Sequence, residues 1–179
     1  MLFDIHTCFM PECYLDTNLV EVLLDKPNSV NHTKGNSSVA AKMKNRKFKD
    51  NFAVGILDDD KRKLREIEEC DKIERLWRAG LKLFHNKPKQ HYFILIAPAV
   101  EMWILNECEK AKIDLSTYNL PVNLRDMKSL KGFAQRNDIN FKKLFREMLM
   151  NENCDEIIEL KRWLLFFKEN NYNTNIDLL

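Results

Sequence analysis

The sequence predicts an α/β fold, on three observations. FAVGIL (52–57) and HYFILIA (91–97) are short continuous apolar runs, as expected of strands covered on both faces. Segments 16–25 and 100–112 repeat apolar residues at helical spacing. The alternation of strand and helix then implies a mostly parallel sheet with helices packed against it.

Taken in order, LFDIHTCFM (2–10) partly alternates and carries aromatic and β-branched residues; it reads as a strand ended by Pro11. A helix over 16–25 follows, capped by Asp16 or Thr17, with Leu19, Val22 and Leu23 on one face. A short strand is expected over 30–33 and a glycine turn at Lys34–Ser37. A helix through Ala40, Ala41 and Met43 then runs to about 47. Residues 52–57 form the central strand. Residues 61–77 read as one long charged helix with Leu64, Ile67, Ile73 and Trp77 facing inward. LKLFH and HYFILIA read as strands flanking the turn Asn86-Lys87-Pro88-Lys89. Pro98 ends the second, and 100–112 is a helix. Beyond Pro121 the pattern is helical, over 123–133, 138–150 and 154–169. The division this implies is an α/β domain over 1–120, a helical C-terminal cap over 121–170 and a frayed tail over 171–179.

Composition bounds the function. Hydrophobic residues make up 45% and charged residues 31%, the balance of a soluble globular protein. No apolar run approaches the roughly 20 residues of a membrane-spanning helix. The N-terminus has neither a basic start nor a small-residue cleavage site, so a cytoplasmic protein without a secretory signal is expected. Cys8, Cys13, Cys70, Cys108 and Cys154 form no CxxC pair, which argues against a zinc site and a disulfide scaffold. His6, His32, His85 and His91 form no spaced metal pair and read as structural or surface residues. No Walker pattern is present, so nucleotide triphosphate hydrolysis is not expected.

Net charge is only +2, but the charges are unevenly spread. Lys42, Lys44, Arg46 and Lys47 crowd one segment, and Asp58, Asp59 and Asp60 follow it. Cations that hold a phosphate backbone beside carboxylates that hold a metal are what a metal-dependent phosphodiester enzyme needs. Two inferred strands end in acids, one at Glu12 and the other at Asp58-Asp59-Asp60. Alternation along an extended chain sends Asp58 and Asp60 to the same side, where Glu12 can join them from the neighbouring strand. Such hard oxygen ligands suit Mg²⁺ or Mn²⁺. The competing reading of the acidic triplet is a helix N-cap, although capping needs one acid rather than three.

FMPECYLDTNLVEVLL resembles the opening Toprim motif, in which a strand leads to Glu-Gly-x-x-Asp and a helix; Glu12 falls on the glutamate and Asp16 on the trailing acid. HTKGNSSVAAKMKN is similar to the following strand, glycine turn and helix. FAVGILDDDK resembles the strand closing in Asp-x-Asp, with Asp58 and Asp60 on the motif. FILIAPAVEMWIL is similar to a strand-Pro-helix piece of stand-alone Toprim proteins of anti-phage systems, with an acid near Glu101. The resemblance covers roughly residues 2–112. One departure stands out, since Cys13 occupies the place of the motif glycine.

The resemblance implies a Toprim-like α/β sheet and Mg²⁺-dependent phosphoryl chemistry on nucleic acid, as in topoisomerases, primases and OLD-type nucleases. Catalytic residues would be Glu12, Asp58 and Asp60; Asp16 would join them as metal ligand or stand a helical turn away. Lys34, Lys42, Lys44, Arg46 and Lys47 would contact DNA or RNA. The resulting expectation is a nuclease, serving as an effector in antiviral defence. The alternative is a non-catalytic subunit that works with an ATPase or another protein partner, or as a homo-oligomer, with no membrane involved. Tyr14-Leu15-Asp16-Thr17-Asn18 also resembles the opening of a PIN nuclease, in which Asp16 would be the principal ligand at the end of a strand.

Overall fold

The computed structural model describes residues 4–49, 51–59, 64–131 and 134–179. Its centre is a five-stranded mixed sheet, ordered β1-β2-β5-β4-β3, with helices on both sides. The strands are β1 (Phe9–Pro11), β2 (Ala53–Asp58), β3 (Asp71–Lys72), β4 (Leu81–Asn86) and β5 (His91–Ile96). β1, β2 and β5 are parallel neighbours, whereas β4 runs antiparallel to both β5 and β3. The sheet is therefore mostly parallel, as its sequence order implies. Among the described residues no helix is long and apolar enough to cross a membrane.

The helices are α1 (Tyr14–Leu23), α2 (Asn36–Met43), α3 (Arg65–Glu68), α4 (Val100–Ala111), α5 (Leu124–Lys131), α6 (Ile139–Met150) and α7 (Asp155–Asn170). Gly55 marks the face that α2 covers. A Cβ there would lie 3.1 Å from Val39 and 3.2 Å from the Met43 sulfur, so helix and strand approach closely. Side chains of the opposite parity, such as Tyr92, meet Phe167 of α7 with ring centroids 4.6 Å apart. α6 and α7 also pack on α1, and their buried Phe141, Phe145, Trp163 and Phe167 belong to the same hydrophobic core as the strands.

Four expectations change. The first strand is shorter than 2–10, because Asp4 accepts the His6 N–H at 3.1 Å and caps a 3₁₀ turn over Ile5–Cys8. Residues 30–33 are extended but form no assigned strand. Asn31 and Thr33 donate to the Phe9 and Pro11 carbonyls at 2.9 and 3.1 Å, yet Pro11 has no N–H to donate back. The described part of the expected long helix, from Leu64, holds one α-helical turn, α3, and a separate 3₁₀ turn over Glu74–Leu76. Asp71 and Lys72 instead pair with His85 and Phe84, and Trp77 donates its indole N–H to the Leu83 carbonyl at 3.2 Å. Without that pairing β4 would expose an open sheet edge, and tertiary pairing outweighs helix propensity here.

The tail, expected to be frayed, is docked. Tyr172 packs on Phe52, Arg162 donates to the Leu179 carbonyl at 2.6 Å, and Arg75 donates to the Ile176 carbonyl.

His85 stacks on Tyr92 at 4.3 Å, with both ring nitrogens buried and without a hydrogen-bond partner among the described residues. Burial, aided by the nearby Lys87 charge, lowers its pKa below the usual 6.5. The folded state thus favours the neutral ring. That stabilisation is complete above the unfolded value and is lost as pH falls through it towards the folded one. His85→Phe keeps the stack and removes both orphaned nitrogens, so it is expected to stabilise the protein by about 1 kcal/mol. It should also flatten the fall in melting temperature between about pH 7 and about pH 5. An equally steep fall in both proteins would show that His85 does not carry it.

Candidate metal centre

β1 and β2 are in register with Pro11 opposite Ile56, so the chain leaves both strands at the same edge of the sheet. Glu12 continues the ladder by donating its N–H to the Ile56 carbonyl at 3.1 Å. Its carboxylate turns towards β2 and accepts the Asp58 N–H at 3.4 Å. Cys13 then caps α1, and Asp16 lies in the first turn of that helix. Carboxylate oxygens of Glu12, Asp16 and Asp58 all come within 4.8 Å of one another. The three residues are 2%, 0% and 2% exposed.

Three carboxylates cannot share such a space without compensation. Each ionised pair repels by on the order of 3 kcal/mol at an effective dielectric of about 20. The protein supplies part of the offset. The Val100 N–H, at the start of α4, donates to Asp58 Oδ1 at 2.8 Å, and the Cys13 thiol donates to Asp16 Oδ2 at 3.0 Å. The amino ends of α1 and α4, with their positive dipole ends, thus both touch the cluster. A cation held between the carboxylates would offset their repulsion further, and the cluster has the donors and the proximity to bind a metal ion.

Cys13 answers the question raised by the absent glycine. Its φ is −146° and its ψ 173°, ordinary extended backbone open to any residue. The thiol also accepts the Asp16 N–H at 3.4 Å, so the substitution ties the loop to the helix it caps. The positive φ of this region falls instead at Gly35, at +86°, whose N–H donates to the Glu12 carbonyl at 2.8 Å.

Other expected site residues fall less simply. Asp16 does not stand a helical turn away; it is a full member of the cluster. Nor does it end a strand, as the PIN resemblance requires, because Glu12 follows β1 directly. Asp60 lies outside the described residues. Asp59 points the other way, as strand alternation dictates, and pairs with Lys82 at 2.5 Å.

Lys34 immediately precedes the Gly35 turn and shares the acid edge. The expected basic patch beside the acids is otherwise not found. α2 begins near Asp58, whose carbonyl accepts from Asn36 at 3.2 Å. The chain then descends past Gly55 to Phe48, whose carbonyl contacts His91 at 2.9 Å beside the start of β2. Lys44, Arg46 and Lys47 therefore sit near the opposite edge, roughly 16 Å away along a six-residue strand. Lys44 pairs there with Glu66, and Lys47 lies 5.0 Å from the Phe48 ring centroid. Burial and the Lys47 charge lower the Lys42 amine below its usual range.

Two further features lie near the cluster. Glu101 is buried in the first turn of α4, one residue beyond the amide that holds Asp58. His32 stacks on Tyr14 at 4.0 Å and contacts the Thr17 hydroxyl through Nδ1 at 3.1 Å. Thr17 gives its one proton to the Cys13 carbonyl at 2.7 Å, so His32 Nδ1 is the donor and Nε2 carries the lone pair. Burial holds this histidine below its usual pKa. An acid near Glu101 is expected from the resemblance, whereas His32 has no local motif, since its placement depends on Tyr14 and Thr17, distant in the sequence. No family model matches the chain, and no curated protein or solved structure shows significant similarity to it.

Proposed function

We propose that this protein is a Toprim-like, metal-dependent nuclease or related phosphoryl-transfer enzyme, with Glu12, Asp16 and Asp58 holding Mg²⁺ or Mn²⁺. The observation that carries this reading is the convergence of three buried carboxylates at the carboxyl edge of adjacent parallel strands. All donors are hard oxygens, the set that Mg²⁺ and Mn²⁺ prefer over softer metals. Chemistry in open α/β sheets collects at this edge. A metal there would neutralise charge developing on a phosphoryl group. Glu12 would act in proton transfer, and Lys34, beside the Gly35 turn, would meet a backbone phosphate. Asp60, two residues beyond Asp58, completes the proposed catalytic set.

The test is cleavage of labelled single-stranded DNA, duplex DNA and RNA by the purified chain, with Mg²⁺, Mn²⁺ or a chelator. Cleavage that requires metal is the expected result. Metal binding without cleavage of any of these substrates would remove the nuclease reading.

One observation favours a second reading, a subunit that needs a partner such as an ATPase or a second copy of itself. Lys44, Arg46 and Lys47 lie far from the acids, so among the described residues a long substrate would meet few cations near the cluster. A partner would then supply the track. If neutralising Lys44, Arg46 and Lys47 together leaves the salt dependence of nucleic-acid binding unchanged, these residues are a solvated face and no part of that track.

A further inference from the structure

A cleft of about 460 Å³ opens between the carboxyl end of α1 and helices α6 and α7, apart from the carboxylate cluster. Its floor holds an unbalanced charge. Glu21, buried in α1, receives Arg136 at 3.1 and 2.5 Å and Lys142 at 3.4 Å. Burial pushes the Glu21 carboxyl up, but the Arg136 hydrogen bonds and the two cations outweigh this and hold it below its usual range. Arg136 alone matches that charge. Lys142 is only 8% exposed, and its shorter bond, 2.6 Å, goes to the neutral Asn137 side chain. One buried cation is therefore in excess.

Arg146 and Lys161 line the same cleft, and neither has an ion-pair partner among the described residues. Asp25 is the one further carboxylate in the lining. Arg136, Lys142, Arg146 and Lys161 against Glu21 and Asp25 leave two positive charges uncompensated. A crowd of like charges around a partly desolvated cleft is unfavourable until an anion enters. The lining also has an apolar part, Pro27, Leu149 and Met150, the last 86% exposed. A large apolar side chain that far into solvent beside a cationic pocket suits a ligand with two chemically distinct ends.

We propose that this cleft binds a small phosphorylated molecule. Its phosphate would lie between Arg146, Lys161 and the Lys142 ammonium, and its planar or apolar body against Leu149 and Met150. The cleft size lies within the range of small-molecule sites, and a planar fork such as Arg146 matches phosphate geometry. Because the site stands on the far end of α1 from Asp16, it is separate from the proposed metal chemistry.

Adenosine monophosphate titrated into isotope-labelled full-length protein at low salt tests this by amide chemical shifts. Saturable shifts confined to residues near 21–27, 142–150 and 161 are expected, with inorganic phosphate binding at least about tenfold more weakly. Arg146→Glu/Lys161→Glu changes two side chains without an ion-pair partner among the described residues, so the fold should survive while those shifts vanish. No saturable shift in the wild type, or equal binding by the charge-reversed protein, would overturn the site. Inorganic phosphate binding as tightly as the nucleotide would reduce it to an adventitious anion contact. Tighter binding of an oligonucleotide than of the monophosphate would reassign it to a nucleic-acid track.

Discussion

Asp16→Asn is expected to abolish stabilisation by Mg²⁺ or Mn²⁺ while leaving the metal-free protein as stable as the wild type or more so. A ligand that binds only the folded state stabilises by about 2.7 kcal/mol at a hundredfold excess over its dissociation constant. For a chain of this size that corresponds to roughly 5–10 °C in melting temperature. Asn keeps the size of Asp16 but removes one of three mutually repelling charges, each pair of which costs on the order of 3 kcal/mol when ionised without a cation. Asp59→Asn is the matched control. Its carboxylate points to Lys82 rather than to the cluster, and it should retain the full metal-induced shift. Equal metal-induced shifts in wild type and Asp16→Asn would remove the site.

Substitutions at the three acids grade the proposed catalysis. Glu12→Gln removes charge and proton-transfer capacity at nearly constant shape. It should reduce cleavage by about 10²-fold or more, the size typical of losing a general acid or base. Sequence reasoning that placed Asp16 a turn away expects Asp16→Asn to cost less than this. Its full burial within the cluster predicts a loss of similar size. Asp58→Asn has a second consequence, since Asp58 Oδ1 also accepts the Val100 N–H, and its stability must be measured alongside its activity.

The contrast shows what a sequence can carry. β2, β5 and α4 were legible because each buries a periodic or continuous apolar pattern whose register follows from local spacing. Glu12 and Asp58 were legible because strand ends in a parallel sheet share an edge. Asp16 was legible only as one of two alternatives, a metal ligand or an acid a helical turn away, because its approach depends on how α1 leaves β1. That departure is set by Cys13 as an extended cap and by the Glu12 carbonyl held on the Gly35 N–H. β3 was hidden for a different reason. Asp71 and Lys72 are both exposed and have no strand-like pattern; the open edge of β4 recruits them. The location of the basic segment depended on the direction in which α2 crosses the sheet, which no short motif encodes.

Gly80→Ala is expected to be among the most damaging single substitutions, although position 80 lies just outside a strand and its sequence neighbourhood is unremarked by any motif. An added Cβ would lie 2.3 Å from Glu156 Oε2 and 2.4 Å from Trp103 Cδ1, both well inside contact distance. Neither neighbour is free to retreat. Glu156, buried on α7, accepts the Gly80 N–H at 3.0 Å through Oε1 and the Trp103 indole N–H at 2.8 Å through Oε2. It thereby ties the start of β4, helix α4 and helix α7 together, and its own N–H donates to the buried Glu107 at 3.2 Å. Relieving the overlap means moving the carboxylate off two buried donors, which adds unsatisfied hydrogen bonds to the packing strain. A loss of about 3–5 kcal/mol follows, a fall of roughly 6–20 °C in melting temperature. Gly55→Ala provides the scale. Its Cβ would meet Phe93, Val39 and Met43 at 3.1–3.2 Å, side-chain atoms that need give by only a few tenths of an ångström, so about 1 kcal/mol is expected. Glu156→Ala should cost nearly as much as Gly80→Ala, and the double variant clearly less than the two together, because both remove the same pair of hydrogen bonds. Additive losses, or a Gly80→Ala protein as stable as Gly55→Ala, would show that the Glu156 bridge does not hold these three elements together.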